Sequence, residues 1–477
     1  MSISNLTTNL TNLNPVYNPL VYGFDSTNKN QPGFRYVVDV YSAGTATKLF
    51  EARVAPRPND GYGYIDLSKI LSNLVTFDLD VTNTTSSAVL NSYINYDVKI
   101  GEEYIVSWPF DDSQFVTGNL TRLIQTGSTT PNTFVDGDQI VVTLNNPALF
   151  PALDGLQVVY SAVSAYNIII DIPFVTSVAN PGIVKYADNR KTVYRNLYSY
   201  TGHTAWNGAL PFKTWPSYSS TEYKITTTST TNKLLTNVPS NFYMASTQDM
   251  WINWVNFNSS TPKYAYFVND AGDTFRKDIS NTTQKLRQFS AGPNNVGTLS
   301  TVSGTAPLVK ANTEYYDFYV TNTSGTQMSK KYRVYIDTRC KIEDYEILFQ
   351  DRLGSFSSYS FQLRNKVAGT VKRDTFNRQI GDISGGKWTY DSTSIGEYVS
   401  NVSVSKLYDI STNWMTNEMN VYFEELVTSP ITYIKIDGIY YACTVQDNGF
   451  EVQSSRSKKL IKRNLTIKLA NEDIVNI

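Results

Sequence analysis

The stretch RCKIEDYEILFQDRLGSFSSYSFQLRNKVAGT, residues 339–370, decides the fold class. Its first run sets Tyr345, Ile347 and Phe349 on one face, and its second sets Phe356, Ser358, Ser360 and Gln362 against Ser357, Tyr359, Phe361 and Leu363. A period of two is the signature of strands, so the two runs predict a hairpin rather than a helix. Asp351-Arg352-Leu353-Gly354 supplies the connection, with Gly354 free to take a positive φ.

The rest of the chain carries the same signature. At 477 residues it exceeds what one core can organise, so several domains are expected. Charged residues make up 17% and aromatics 13%, with 34 Tyr and 22 Phe. Tyr, Val, Ile and Thr suit a pleated surface, whereas Asn, Gly and Ser suit turns, which predicts a mainly β protein. The 41 basic residues against 42 acidic ones leave no electrostatic footprint for specific nucleic-acid binding. Arg456, Lys458, Lys459, Lys462 and Arg463 cluster locally and read as a solvated strand edge. No apolar run reaches the roughly 20 residues of a membrane helix, and the N-terminus has neither the positive start nor the apolar run of a signal peptide. No membrane association is therefore expected. Cys340 and Cys443 could be a reduced pair, a tertiary disulfide or two separate core thiols, and the last reading is favoured.

Taken in order, residues 1–33 are polar and punctuated by Pro15, Pro19 and Pro32, which predicts an N-terminal extended arm. A first β domain follows, formed by 34–109 with 186–223. It contains a short helix capped by Asp66 with Leu67, Ile70, Leu71, Leu74 and Val75 on one face. Residues 110–185 read as an inserted small β module resembling a barrel, with strands at Thr133–Val135, 139–144, 156–160, 167–171 and 182–186. Runs at 242–257, 263–268, 284–290, 314–320 and 331–337 predict an immunoglobulin- or fibronectin-like sandwich over 224–338. The remaining 339–477 would be a C-terminal β domain, with a second helix from Asn413 to Leu426 and hairpin signals at Asp437-Gly438 and Asn448-Gly449. The opening hairpin would then be a joint between the last two domains. The fold expected is thus mainly β and multi-domain, with β-sandwiches, a small inserted barrel-like module and two short helices.

Chemistry is hard to find. The single histidine, His203, has no nucleophile elbow or His-Glu-x-x-His pattern near it. The carboxylate pairs Glu102–Glu103, Asp111–Asp112 and Glu424–Glu425 are adjacent, and adjacent residues on a strand point to opposite faces. Asp136-Gly137-Asp138 could contribute to a calcium loop whose other ligands are missing. No catalytic, cofactor-binding or metal-binding residue is expected. Trp206, Trp215, Trp251 and Trp254 read first as core; exposed at the surface they would serve subunit contacts or a glycan.

Three stretches resemble structural tail proteins of bacteriophages that infect Bacteroidota, including the crAss-like phages. They are NPVYNPLVYGFDSTNKNQPGFRYVVDVYSAG (14–44) with ARVAPRPNDGYGYIDLSKIL (52–71), Leu348-Phe349-Gln350-Asp351-Arg352-Leu353-Gly354-Ser355-Phe356, and SPITYIKIDGIYYACTVQDNGFEVQ to LIKRNLTIKLAN (429–471). The middle one is similar to a signature of leucine, any residue, asparagine, arginine, phenylalanine, glycine and glycine, from which it departs at Asp351, Leu353 and Ser355. The resemblance implies a structural virion protein of the tail or portal-proximal neck, assembled in the host cytoplasm. Its partners would be itself, as a homo-oligomeric ring or hub, and other tail, neck or portal proteins. A receptor- or glycan-binding tail fibre protein is the alternative. Interaction positions expected on these readings are Arg352, Tyr17, Tyr22, Trp206 and Trp254.

Overall fold

In a computed structural model, Tyr345–Gln350 and Phe356–Phe361 pair antiparallel from Tyr345↔Phe361 to Gln350↔Phe356, the hairpin that the alternation predicts. The structure describes residues 2–6, 10–116, 118, 120–125, 132–164, 166–174, 182–188, 190–226, 229–256, 263–280, 285–297, 303–304, 307–339, 345–363, 365–447, 461–471 and 473–475. Cys340, Asn448-Gly449, Arg456, Lys458 and Lys459 lie outside them. The fold is mainly β, with several sheets and, among the described residues, three short α-helices: α1 (Ser68–Ser72), α2 (Pro293–Gly297) and α3 (Asn417–Thr428). The sequence predicts α1 and α3; α2 carries Pro at its start and Gly at its end, a pattern too short to register as periodic. Among the described residues no helix is long and apolar enough to cross a membrane.

The chain divides into two compact units. One comprises Met1–Asn14, Pro19–Leu71 and Asn95–Ala205, and the other Pro15–Asn18, Ser72–Ile94 and Trp206–Ile477. Residues 72–94 and 206–223, expected in the first β domain, therefore belong to the second unit.

In the first unit the expected N-terminal arm is built into the fold. Ile3–Asn5 and Val21–Ser26 pair with each other, and the latter also pairs with Gly63–Asp66. Leu13, Leu20, Tyr22 and Phe24 are buried, so the prolines punctuate strands instead of freeing a tail. A five-stranded sheet runs in the order Leu13–Pro15, Thr192–Trp206, Tyr93–Tyr104, Arg35–Ser42 and Lys48–Val54. Residues 108–186 make a seven-stranded sheet around their own core of Trp108, Phe110, Ile140, Phe150, Ile168 and Val184. Its first and last strands, Asp112–Val116 and Trp108–Phe110, are separated in sequence by Asp111 alone, so the sheet curls round towards closure. Thr133–Val135 is a loop here, with Phe134 packed inward.

The second unit corrects the boundary expected at 338/339. One sheet of six strands runs Asn241–Met244, Tyr332–Ile336, Tyr315–Thr321, Tyr264–Asn269, Thr274–Asp278 and Ser303–Gly304, its first pair parallel. The other has eleven strands, and Trp251–Val255 joins the opening hairpin in it through the pair Trp251↔Phe356. One core serves both sheets: Trp254, Phe267, Phe289 and Phe318 belong to the same cluster as Ile347, Phe349, Tyr359 and Ile434. The opposite face of the hairpin buries Leu348 and Phe356 beside Trp251. The hairpin is thus a central element, buried on both faces, and not a joint between domains. Asp437 and Gly438, at φ 51° and 81°, turn Thr432–Ile436 into Ile439–Val445, as the Asp-Gly signal predicts. Cys443 is a buried free thiol.

Candidate interaction site

The turn Asp351–Ser355 gathers distant parts of the second unit. The Asp351 carboxylate accepts the N–H groups of Leu353 at 3.0 Å and Ser355 at 3.1 Å, which closes the turn on itself. It also accepts the Thr236 hydroxyl at 2.7 Å and the Asn237 N–H at 3.0 Å. Ser355 Oγ donates to the Leu235 carbonyl at 2.6 Å and accepts from the Asn253 N–H at 2.7 Å. Gly354 sits at φ 94°, where a Cβ would lie 2.8 Å from the Asn207 carbonyl oxygen, so backbone and neighbour both demand glycine. Asp351 and Ser355, at which the chain departs from the resembled signature, are the residues that tie the turn down.

Arg352 turns outward to α3. Its backbone N–H donates to Glu425 at 2.8 Å, and its guanidinium lies 2.7 Å from Glu424 and 3.6 Å from Glu425. Helix α3 is capped by Thr416, whose hydroxyl accepts from the Met419 N–H, and buries Met419, Tyr422, Phe423 and Leu426 in the shared core. Threonine capping sets this start later than the Asn413 expected, because Met415 is already bridged to Ile461. Burial, reinforced by the charge of Glu425, pushes the Asp351 carboxyl up to about 7. Burial also raises Glu425, against the pull of Arg352.

Beside this turn lies a cleft of about 300 Å³, lined among others by Tyr17, Phe77, Arg352, Glu425, Pro430 and Ile431. The structure therefore brings two of the expected interaction positions together, with Tyr17 56% exposed. It does not do so for the other three. Tyr22 is buried in the first unit, its hydroxyl 2.9 Å from that of Tyr96 and 3.3 Å from Nδ1 of His203. Trp206 is buried against Tyr218 and Tyr223, and Trp254 is 0% exposed in the shared core. An expected surface role for Tyr22, Trp206 and Trp254 is thus corrected to core packing: Tyr22 and Trp206 pair with other aromatic rings, and Trp254 is enclosed in the apolar cluster.

A second buried group of charges lies on the same hairpin. Glu346 stands 3.1 Å from Lys435 Nζ, which also reaches Asp249 at 2.7 Å; the Tyr440 hydroxyl donates to both carboxylates at 2.7 and 3.1 Å. Burial pushes the Glu346 carboxyl up to about 7 despite Lys435. Both Glu346 and Asp351 therefore hold a proton more tightly folded than unfolded, so their contribution is full below the unfolded carboxylate range and fades as pH rises through about 7. Between pH 8 and 6 we expect the unfolding free energy to increase by about 1–3 kcal/mol. Urea titrations at stepped pH measure this, and Glu346→Gln should flatten the slope; a stability that falls over that interval would refute it.

The strongest candidate surface was not foreseen. Lys366–Asn377 and Glu397–Ser411 form a ribbon whose first strand is exposed along nearly its whole length. At about 3.3 Å per residue its twelve residues extend about 40 Å. Between its strands a small hairpin, Asp382–Ser384 with Lys387–Thr389, makes the tip. Phe376, Ile380, Ile383, Trp388, Tyr390 and Ile395 are exposed there, Ile383 at 67% and Tyr390 at 74%. Residues 381–400 look like low complexity in the sequence; the signal that marks them is Ile383, Trp388, Tyr390, Ile395 and Tyr398 set among Gly, Ser and Thr. No protein-family model matches the chain, and no curated protein matches it significantly.

Proposed function

We propose that this chain is a structural virion protein of a bacteriophage tail or portal-proximal neck, which works by assembling into an oligomeric ring or hub and not by catalysis. The ribbon is the observation that carries the reading. Beyond Val402 the ribbon has only its own two strands, a marginally stable arrangement in water, and large apolar residues exposed at such a tip mark an interaction surface. The ribbon's apolar tip buries little within its own chain, so a neighbouring subunit is the natural cover. Heterologous contacts that close give rings, in keeping with the phage resemblance. The test is to replace residues 379–395 by a short Gly-Ser turn, which leaves the core untouched. We expect wild-type rings in negative stain and a folded monomer from the variant. A wild-type chain that is strictly monomeric and joins neither rings nor virions would overturn the reading.

A further inference from the structure

We propose that the outer edge of Lys366–Asn377 is a strand-addition site for an acidic, extended segment of a different protein. This rests on reading the ribbon as an assembly arm, and it names the arm's partner by chemistry. Lys366–Asn377 ends the order of the eleven-stranded sheet, and among the described residues no strand lies on its outer side. An edge of that kind presents a row of unpaired N–H and C=O groups, the template on which an extended peptide adds as a further strand.

Charge selects the occupant. Lys366, Lys372, Arg373 and Arg378 stand along this edge against Asp374 alone. All but Lys366 lie in a run exposed without interruption from Val371 to Ile380. Within the strand itself the one carboxylate, Asp374, lies 3.6 Å from Lys372 with both side chains largely exposed, and Asp409 stands across the ladder from Lys366. A second copy would bring an equally basic edge, and like charges directly opposite one another on strands are destabilising. The same cations attract an acidic strand.

The register defines its pattern. Lys366 faces Asp409, Thr370 faces Ser405, Lys372 faces Ser403 and Asp374 faces Asn401, which, with the pair Ala368 and Leu407 among them, makes one face of the ribbon mainly polar. Val367 faces Tyr408, Val371 faces Val404 and Arg373 faces Val402, which makes the other face mainly apolar. The matching strand alternates a carboxylate, opposite Lys366 and Lys372, with a small apolar residue that extends the valine stripe.

The test uses the full chain and two synthetic peptides, one alternating aspartate with valine and one alternating lysine with valine, with affinity read by fluorescence anisotropy at two salt concentrations. We expect the aspartate peptide alone to bind, more weakly in high salt. In Lys372→Glu with Arg373→Glu, both exposed positions, its affinity should fall about tenfold and the lysine peptide should be preferred. Equal binding of both peptides, binding of neither, or unchanged affinity in the double variant would overturn the proposal. So would self-association of the wild type that this variant abolishes, because the occupant would then be a second copy. Failure of the edge leaves ring formation through the tip intact, whereas a chain that binds the aspartate peptide but enters no ring or virion keeps the edge and loses the assembly reading.

Discussion

Asp351→Ala should lower the unfolding free energy by about 3–5 kcal/mol, as expected when several buried donors lose their acceptor at about 1–3 kcal/mol each. The carboxylate is 3% exposed and accepts four hydrogen bonds, from Thr236, Asn237, Leu353 and Ser355. Alanine leaves four donors without their acceptor, those of Thr236, Leu353 and Ser355 buried, and removes the group that holds the turn closed. The loss spreads, because the Arg352 carbonyl accepts the Ala209 N–H and the Gly354 carbonyl accepts the Asn253 amide. Asp351→Asn keeps one acceptor oxygen and should cost less. Urea denaturation of the three proteins decides it; an alanine variant within about 1 kcal/mol of wild type would show that water replaces the carboxylate, a substitution the burial argues against.

Trp254→Ala is expected to cost a comparable amount, about 3–5 kcal/mol, from lost burial and the cavity left behind. The indole is wholly out of solvent, in the cluster that also holds Phe267, Phe289 and Phe349. This changes what the substitution can report. On a glycan-binding reading with Trp254 at the surface, the variant would stay folded and lose a ligand; with the ring in the core, it loses its cooperative unfolding transition first. Thermal melts followed by near-ultraviolet circular dichroism separate the outcomes. An unaltered melting temperature would put the ring back at the surface.

Local chemistry was legible in the sequence and distant pairing was not. The hairpin at 345–361 and the Asp437-Gly438 turn follow from alternation and from residues that tolerate positive φ, information held within a few neighbours. The merging of 224–338 with the C-terminal strands could not be read, since it depends on Trp251 meeting Phe356 and on Ser86–Ala88 pairing with Leu286–Ser290. Neither contact leaves a local trace. The N-terminal stretch misled because three prolines read as a free arm while Leu13, Tyr22 and Phe24 carry it into the core. Of the five expected interaction positions, Arg352 and Tyr17 line a cleft, but period two is identical for a buried strand and an exposed ribbon. Alternation announces the strand; only the layers packed above and below decide what it touches.

The place of Asn464–Leu469 in the large sheet bears on the order of events during synthesis. It lies between Glu397–Ser411 and Ile439–Val445, so the ribbon's second strand gains its sheet neighbour only from residues made long after it. Pairing so far apart in sequence forms late. A nascent or truncated chain that stops short of Asn464 therefore holds the base of its ribbon only by core contacts such as Tyr408 on Tyr345, without the ladder that fixes its second strand. On the proposed assembly role, a chain would present this edge only once its last strands are in place, a selection made by strand order.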